Sequence, residues 1–261
     1  YGYHRDLHLR LRRQRQMFIR YRSNTNFDDL IESEHTDLQD PSNDISDIWK
    51  DAWEDLDVKS LILTGDGDKY FCAGHSLELP EGVTPDDNER IRTESIFWPL
   101  SGTVNGAKIG ADGRLGDHYP QIWKPVIGAI NGWAVGAGFY LMLASTDIRI
   151  ASRENARFKF ALLSQGWVGG GPGATYLTRQ ISHADAMKIL LTDEPFNAEE
   201  ALRINLVNEI VPHGELIKRA EEIAHGITKM PPLAVRMMKE FVTRFGDIPV
   251  TEAWRLSLIH I

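Results

Sequence analysis

One cysteine, Cys72, stands in a chain of 261 residues, so no internal disulfide can form and the small disulfide-held scaffolds are excluded. A lone thiol suits a reducing compartment, and a cytoplasmic location is the expectation. No apolar run reaches the length of a membrane span. Metal-ligand spacing is missing too: the nine histidines are scattered, with no H-E-x-x-H and no paired cysteines. Positive charge is in deficit, 29 Lys and Arg against 37 Asp and Glu, and the net charge of −8 argues against nucleic acid as a partner. The glycine-rich Gly166-Trp-Val-Gly-Gly-Gly-Pro-Gly173 lacks the Lys-Ser/Thr of a P-loop and does not give G-x-G-x-x-G, which disfavours a nucleotide fold.

With 42% hydrophobic residues the chain can bury a full core, and its length suits one large domain or a domain with a small appendage. Charge is segregated near the beginning. Tyr1 to Arg22 holds seven arginines against Asp6, whereas Asp28 to Asp57 is acidic with only Lys50 opposing. The Arg-rich opening shares its acid-poor character with organelle transit segments but lacks their serine richness.

Apolar spacing organises the rest. Ile45, Ile48, Trp49, Ala52, Trp53 and Leu56 fall on one helical stripe ahead of a Leu61-Ile-Leu63 strand. Residues 79–109 read as a loop or lid. Pro125 to Ile130 reads as a buried strand ending at the turn pair Asn131-Gly132, Gly138 to Ala144 as a helix, Asp147 to Ala151 as a strand and Thr175 to Leu191 as a helix. Gly214 to Lys229 and Pro232 to Phe245 follow as amphipathic helices, the second started by Pro231-Pro232. The alternation predicts an α/β fold. Asp6 to Asp40 shows no clear strand alternation.

Two segments carry the chemistry. Tyr70-Phe-Cys-Ala-Gly-His-Ser-Leu77 and Lys124-Pro-Val-Ile-Gly-Ala-Ile-Asn-Gly-Trp-Ala-Val-Gly-Ala-Gly-Phe-Tyr140 each run from a short buried strand into backbone that only small residues line. Small residues leave N–H groups uncovered, and the free amides at a helix N-terminus attract an oxyanion. Phe71-Cys-Ala-Gly-His75 and Asn131-Gly-Trp-Ala-Val-Gly-Ala-Gly138 resemble the two signature segments of the crotonase (enoyl-CoA hydratase/isomerase) superfamily. The resemblance extends from about Ile45 to Arg244 and includes Val58 to Gly65, Thr146 to Ala151 and Ala198 to Val211.

That resemblance implies a crotonase-like spiral of ββα turns with a C-terminal helical trimerisation region. It divides the chain into an atypical charged segment (1–43), a spiral core (44–191) and a helical C-terminal region (192–261) expected to be truncated. It implies an acyl-CoA substrate, no cofactor beyond the coenzyme A of that substrate, and a homotrimer or dimer of trimers. The backbone N–H groups of His75 and Ala137 would form the oxyanion hole, flanked by Ala73, Gly74 and Gly136. Relatives that hydrate use two glutamates. Tyr140 and Leu162 stand at those positions here, so both expected carboxylates are replaced and isomerase, hydrolase or decarboxylase chemistry opens instead. A phenol with an ordinary pKa of about 10 donates a hydrogen bond better than it accepts a proton, and leucine does neither.

Other groups are weaker candidates. Glu78 and Glu81 follow the first segment and could reach a thioester, although solvated loop carboxylates are common. His118 suits proton transfer but stands alone. Trp167 lines an acyl slot by resemblance, with turn packing as the alternative. Cys72 reads as a small core residue, and the side chain of His75 matters less than its amide. The competing reading is a catalytically silent CoA-binding or assembly subunit.

Overall fold

The computed structural model describes residues 15–21, 49, 52–74, 122–166 and 172–259. In chain order the strands are β1 (Arg15–Tyr21), β2 (Val58–Gly65), β3 (Tyr70–Cys72), β4 (Val126–Ile130), β5 (Trp133–Val135), β6 (Ile148–Ser152), β7 (Arg157–Lys159), β8 (Phe196–Asn197) and β9 (Glu209–Val211). They form a five-stranded sheet in the order β1-β2-β4-β6-β9 and a four-stranded sheet in the order β3-β5-β7-β8. Every pairing in the larger sheet is parallel; β8 alone pairs antiparallel, against β7 in the smaller one. Consecutive strands therefore alternate between sheets: β2 then β3, β4 then β5, β6 then β7. Two strands and a crossover per turn make a spiral, as the resemblance implies.

The larger sheet is covered on both faces, which is why its central strands read as unbroken apolar runs. Side chains nevertheless alternate. Leu61, Leu63, Val126 and Ile130 point into the main core, while Ile62, Ile127, Ala129 and Ile150 face the other way. That second face is sealed by helix α5 (Leu216–Thr228), whose Leu216, Ala220 and Ala224 recur every four residues and let the helix lie close to the sheet. The remaining helices are α1 (Ala137–Ser145), α2 (Pro172–Gln180), α3 (His183–Thr192), α4 (Ala198–Arg203), α6 (Pro232–Phe245) and α7 (Val250–Ile259).

Two expectations change. The N-terminal stretch read without strand alternation contributes β1, which pairs with β2 from Arg15↔Val58 to Tyr21↔Gly65. Its backbone extends an edge already laid down by β2, so pairing rather than amphipathic patterning defines it. The single helix read over Thr175 to Leu191 is two helices broken at Ser182. The Ser182 hydroxyl accepts from the Asp185 N–H at 3.2 Å and donates to the Asp185 carboxylate at 2.6 Å, a capping arrangement that starts α3 anew. Trp49 and residues 52–54 are helical, within the stripe read from spacing.

Buried polar groups tie these pieces together. Lys124 is 2% exposed and donates to the carbonyls of Ala52, Trp53 and Asp55 at 2.6, 3.0 and 2.7 Å, anchoring the first helical segment to the start of β4. Arg149 donates to Leu143, Thr146 and Leu206 carbonyls and to the Thr146 hydroxyl, joining the end of α1 to the turn before β9. Its burial pushes its pKa down to about 10.

Candidate active site

The two signature segments meet because one side chain holds both turns. Asn131, just past β4, accepts from the Gly65 N–H at 2.9 Å and donates to the carbonyls of Gly67 at 2.6 Å, Tyr70 at 3.2 Å and Gly65 at 3.3 Å. It thereby fixes the β2–β3 turn against the β4–β5 corner. Strands β3 and β5 then run side by side, and their ends, Gly74 and Gly136, emerge together.

Gly74 stands at φ +92, a conformation L side chains rarely adopt. A Cβ there would sit 2.7 Å from the Val135 carbonyl oxygen and 3.1 Å from the Ala137 nitrogen. The backbone just before His75 thus passes directly against the first residue of α1. Gly138 faces the Cys72 carbonyl with no room for a side chain, which draws the helix start onto the end of β3.

At the start of α1, Gly136 takes φ 53 and its N–H bonds to the Lys159 carbonyl at 3.2 Å; no side chain caps the helix. The first bond within the helix is Tyr140 N–H to the Gly136 carbonyl at 3.1 Å, so the N–H groups of Ala137, Gly138 and Phe139 have no acceptor inside it. Gly138 and Phe139 are buried, whereas Ala137 and Gly74 are half-buried. The Ala137 amide is therefore the member of this first turn that can meet a ligand, at the positive end of the helix.

Tyr140 lies three residues along, on the same side of α1 as Ala137. Its side chain is 9% exposed, and its hydroxyl has no hydrogen-bond partner among the described residues. The ring lies 5.3 Å from that of Phe160 and occupies the space a Cβ on Gly173 would need. Burial, and secondarily the Asp193 carboxylate, push the phenol's pKa upward, so it stays neutral at physiological pH.

Leu162 is 7% exposed and belongs to the same buried cluster as Tyr140 and Phe160. It sits in a short loop held by Asp193, whose two carboxylate oxygens accept from the N–H of Ala161 at 2.5 Å and of Ser164 at 2.9 Å. Ala161 stands at φ 58 and Asp193 at φ 50. Cys72 is buried beneath Gly138, and burial raises its thiol to about 12, so no thiolate is on offer.

Of the residues read from sequence, Ala73, Gly74, Gly136, Ala137, Tyr140 and Leu162 converge on this region. His75 and Trp167 lie outside the described residues, as do Glu78, Glu81 and His118. Asn131, read only as a turn residue, holds the two segments together. Asp193 went unread, and Gly173 was read only as the end of a glycine-rich run: nothing in their local sequence points to a loop and a tyrosine tens of residues away. Among the described residues no group of three or more His, Cys, Asp or Glu side chains could hold a metal, and no helix is long and apolar enough to cross a membrane.

Parallel strands alternating between two sheets, with a helix N-terminus opening beside the end of the neighbouring strand, define a two-sheet α/β spiral. The sequence profile described as Enoyl-CoA hydratase/isomerase matches residues 112–253, and the chain belongs to this family, the crotonase superfamily. It is 34% identical over 207 residues to (E)-benzylidenesuccinyl-CoA hydratase from Thauera aromatica, spanning 79% of this chain and 73% of that one. It is 32% identical over 217 residues to carnitinyl-CoA dehydratase from Proteus mirabilis, spanning 82% and 75%. Its fold matches the crystal structure of enoyl-CoA hydratase from Bacillus anthracis with a TM-score of 0.67 at 28% identity, over 83% of this chain and 77% of that one.

Proposed function

We propose that this protein acts on acyl-CoA thioesters, holding the thioester carbonyl between the backbone N–H groups of His75 and Ala137 while negative charge builds on the oxygen. The observation that carries the reading is the Gly74 backbone lying against the Ala137 nitrogen, 3.1 Å from where a Cβ would stand. The chemistry follows from charge. When a bond at the carbon next to the thioester breaks, its electron pair moves to the carbonyl oxygen, and two N–H donors, one of them at the start of α1, stabilise the resulting enolate. Each such donor is worth about 3 kcal/mol.

Tyr140 and Leu162 steer the reaction away from hydration. Hydration needs water to be held and deprotonated, work suited to a carboxylate, and a neutral buried phenol beside a leucine supplies no such base. Isomerisation, thioester hydrolysis, decarboxylation and retro-Claisen cleavage share the same anion, and on this reading the Tyr140 hydroxyl donates to substrate. Coenzyme A enters as part of the substrate, with no further cofactor, and the cytoplasm is the proposed location.

We also propose a homotrimer or dimer of trimers. Met230, Leu233, Met238, Val242 and Trp254 on and around α6 and α7 are 57, 64, 64, 60 and 74% exposed, an apolar surface suited to burial against other copies. A sedimentation experiment returning only monomer would rule this out.

The test of the site is an ultraviolet difference spectrum with acetoacetyl-CoA. An intact oxyanion hole favours its absorbing enolate. Ala137 is the first residue of α1, where proline is tolerated, so Ala137→Pro removes one N–H while keeping the helix. The wild type is expected to show the band and the variant to lose it. A band of equal strength in a folded Ala137→Pro protein would sink the two-amide reading.

A second reading, a silent CoA-binding or assembly subunit, is favoured by the same replacements at Tyr140 and Leu162. Ligand binding without turnover across a panel of thioesters would establish it; reproducible turnover would exclude it.

A further inference from the structure

We infer that Asp193 is a positioning residue that shapes the acyl slot by clamping the loop that carries Leu162. The inference rests on the acyl-CoA reading above and extends it to a residue distant in sequence from both signature segments.

The clamp is geometric. Asp193 is 6% exposed and closes α3 in the left-handed region, φ 50, its own N–H bonded to the Ile189 carbonyl at 3.1 Å. Glycine or asparagine would serve such a helix end at least as well. What the carboxylate adds is a pair of acceptors, and both are used, on the N–H groups of Ala161 and Ser164. Ala161 stands at φ 58, which an alanine does not hold without support. The bonds from its N–H and from Ser164 supply that support on either side of Leu162.

The clamp bears on the site because of what Leu162 adjoins. Phe160, one residue before Ala161, packs its ring against Tyr140 at 5.3 Å, and Leu162 joins the same buried cluster. Tyr140 in turn lies on the side of α1 that presents the Ala137 amide. Releasing the carboxylate frees Ala161 to leave its left-handed conformation and lets Leu162 withdraw, enlarging the apolar space next to Tyr140. Longer acyl chains gain from that change and free coenzyme A does not.

The test uses the full chain with Asp193→Asn and Asp193→Gly. Both replacements suit the left-handed turn; asparagine keeps one acceptor and glycine none. Binding of free coenzyme A, butyryl-CoA and decanoyl-CoA is measured by calorimetry. In Asp193→Gly the decanoyl-to-butyryl affinity ratio is expected to rise about tenfold, with a smaller rise in Asp193→Asn and unchanged affinity for free coenzyme A. Amide exchange at Ala161 and Ser164 should accelerate in both variants. A purely structural role would lower the melting temperature and leave the ratio alone. Wild-type binding with an unchanged ratio in both variants overturns the inference while the acyl-CoA reading stands. Failure of the wild type to bind either acyl-CoA overturns both.

Discussion

The ring of Tyr140 lies where a side chain on Gly173 would have to go, so helices α1 and α2 approach each other through a glycine matched to an aromatic edge. Gly173 is in the first turn of α2 and is buried. The contact sets the depth of the tyrosine beside Phe160 and explains why a buried phenol can occupy this end of α1 at all.

Gly173→Ala should therefore destabilise the protein through overpacking, by about 1–3 kcal/mol, since the methyl group meets a ring already held from behind by Phe160. Denaturant midpoints measure this. With Tyr140→Ala already in place, Gly173→Ala should cost little, and strict additivity of the two changes would show that the contact carries no energy.

Tyr140→Phe separates packing from chemistry. Removing a buried hydroxyl that has no partner among the described residues should leave stability unchanged or raise it by about 1 kcal/mol. Turnover should fall if the hydroxyl donates to substrate. Equal turnover in the two proteins would reduce Tyr140 to a wall of the pocket.

Asn131→Ala should weaken the fold and the site together. It strips the buried Gly65 N–H and the Gly67 and Tyr70 carbonyls of their shared partner, at a cost of about 1–3 kcal/mol set mainly by the Gly65 N–H. Because this side chain aligns the turns that lead into Gly74 and Gly136, the acetoacetyl-CoA enolate band should weaken even under conditions where the variant is fully folded. A full-strength band would show that β3 and β5 hold their register without it.

Cys72 gives a pH dependence with a definite sign. Its thiol ionises near 9 when exposed and is raised to about 12 by burial in the folded protein. Between those values the unfolded chain binds fewer protons than the folded one, so stability falls as pH rises, by up to about 1.4 kcal/mol per pH unit from this group. Tyr140, also raised by burial, adds to the fall at the alkaline end. Cys72→Ala should flatten the slope that begins near pH 9, and the native thiol should resist a thiol reagent at neutral pH until the protein is unfolded. Rapid labelling of the native protein would contradict its burial.

The sequence by itself determined the α/β class, a strand at Leu61–Leu63 that the structure extends to Val58–Gly65, the strand read as Pro125 to Ile130, the helix at Pro232–Phe245 and the two glycine-bearing segments of the site. Each is local: an apolar run, a helical stripe or a residue whose lack of a side chain states its own backbone requirement. The reading of Tyr140 and Leu162 as standing where hydrating relatives carry glutamates comes from position within a motif and belongs to the proposal.

Only the tertiary structure decided what brings those pieces together. Strand β1 exists because β2 offers it an edge, and Asn131 works through contacts 61 to 66 residues away. Asp193 reaches 29 and 32 residues back to hold the Leu162 loop, and Gly173 matters because a ring from another helix fills its space. Periodicity and composition record how a segment meets solvent and core. They do not record which distant backbone groups a buried side chain must satisfy, and in this protein those long-range hydrogen bonds and close approaches place the Ala137 amide beside the end of β3.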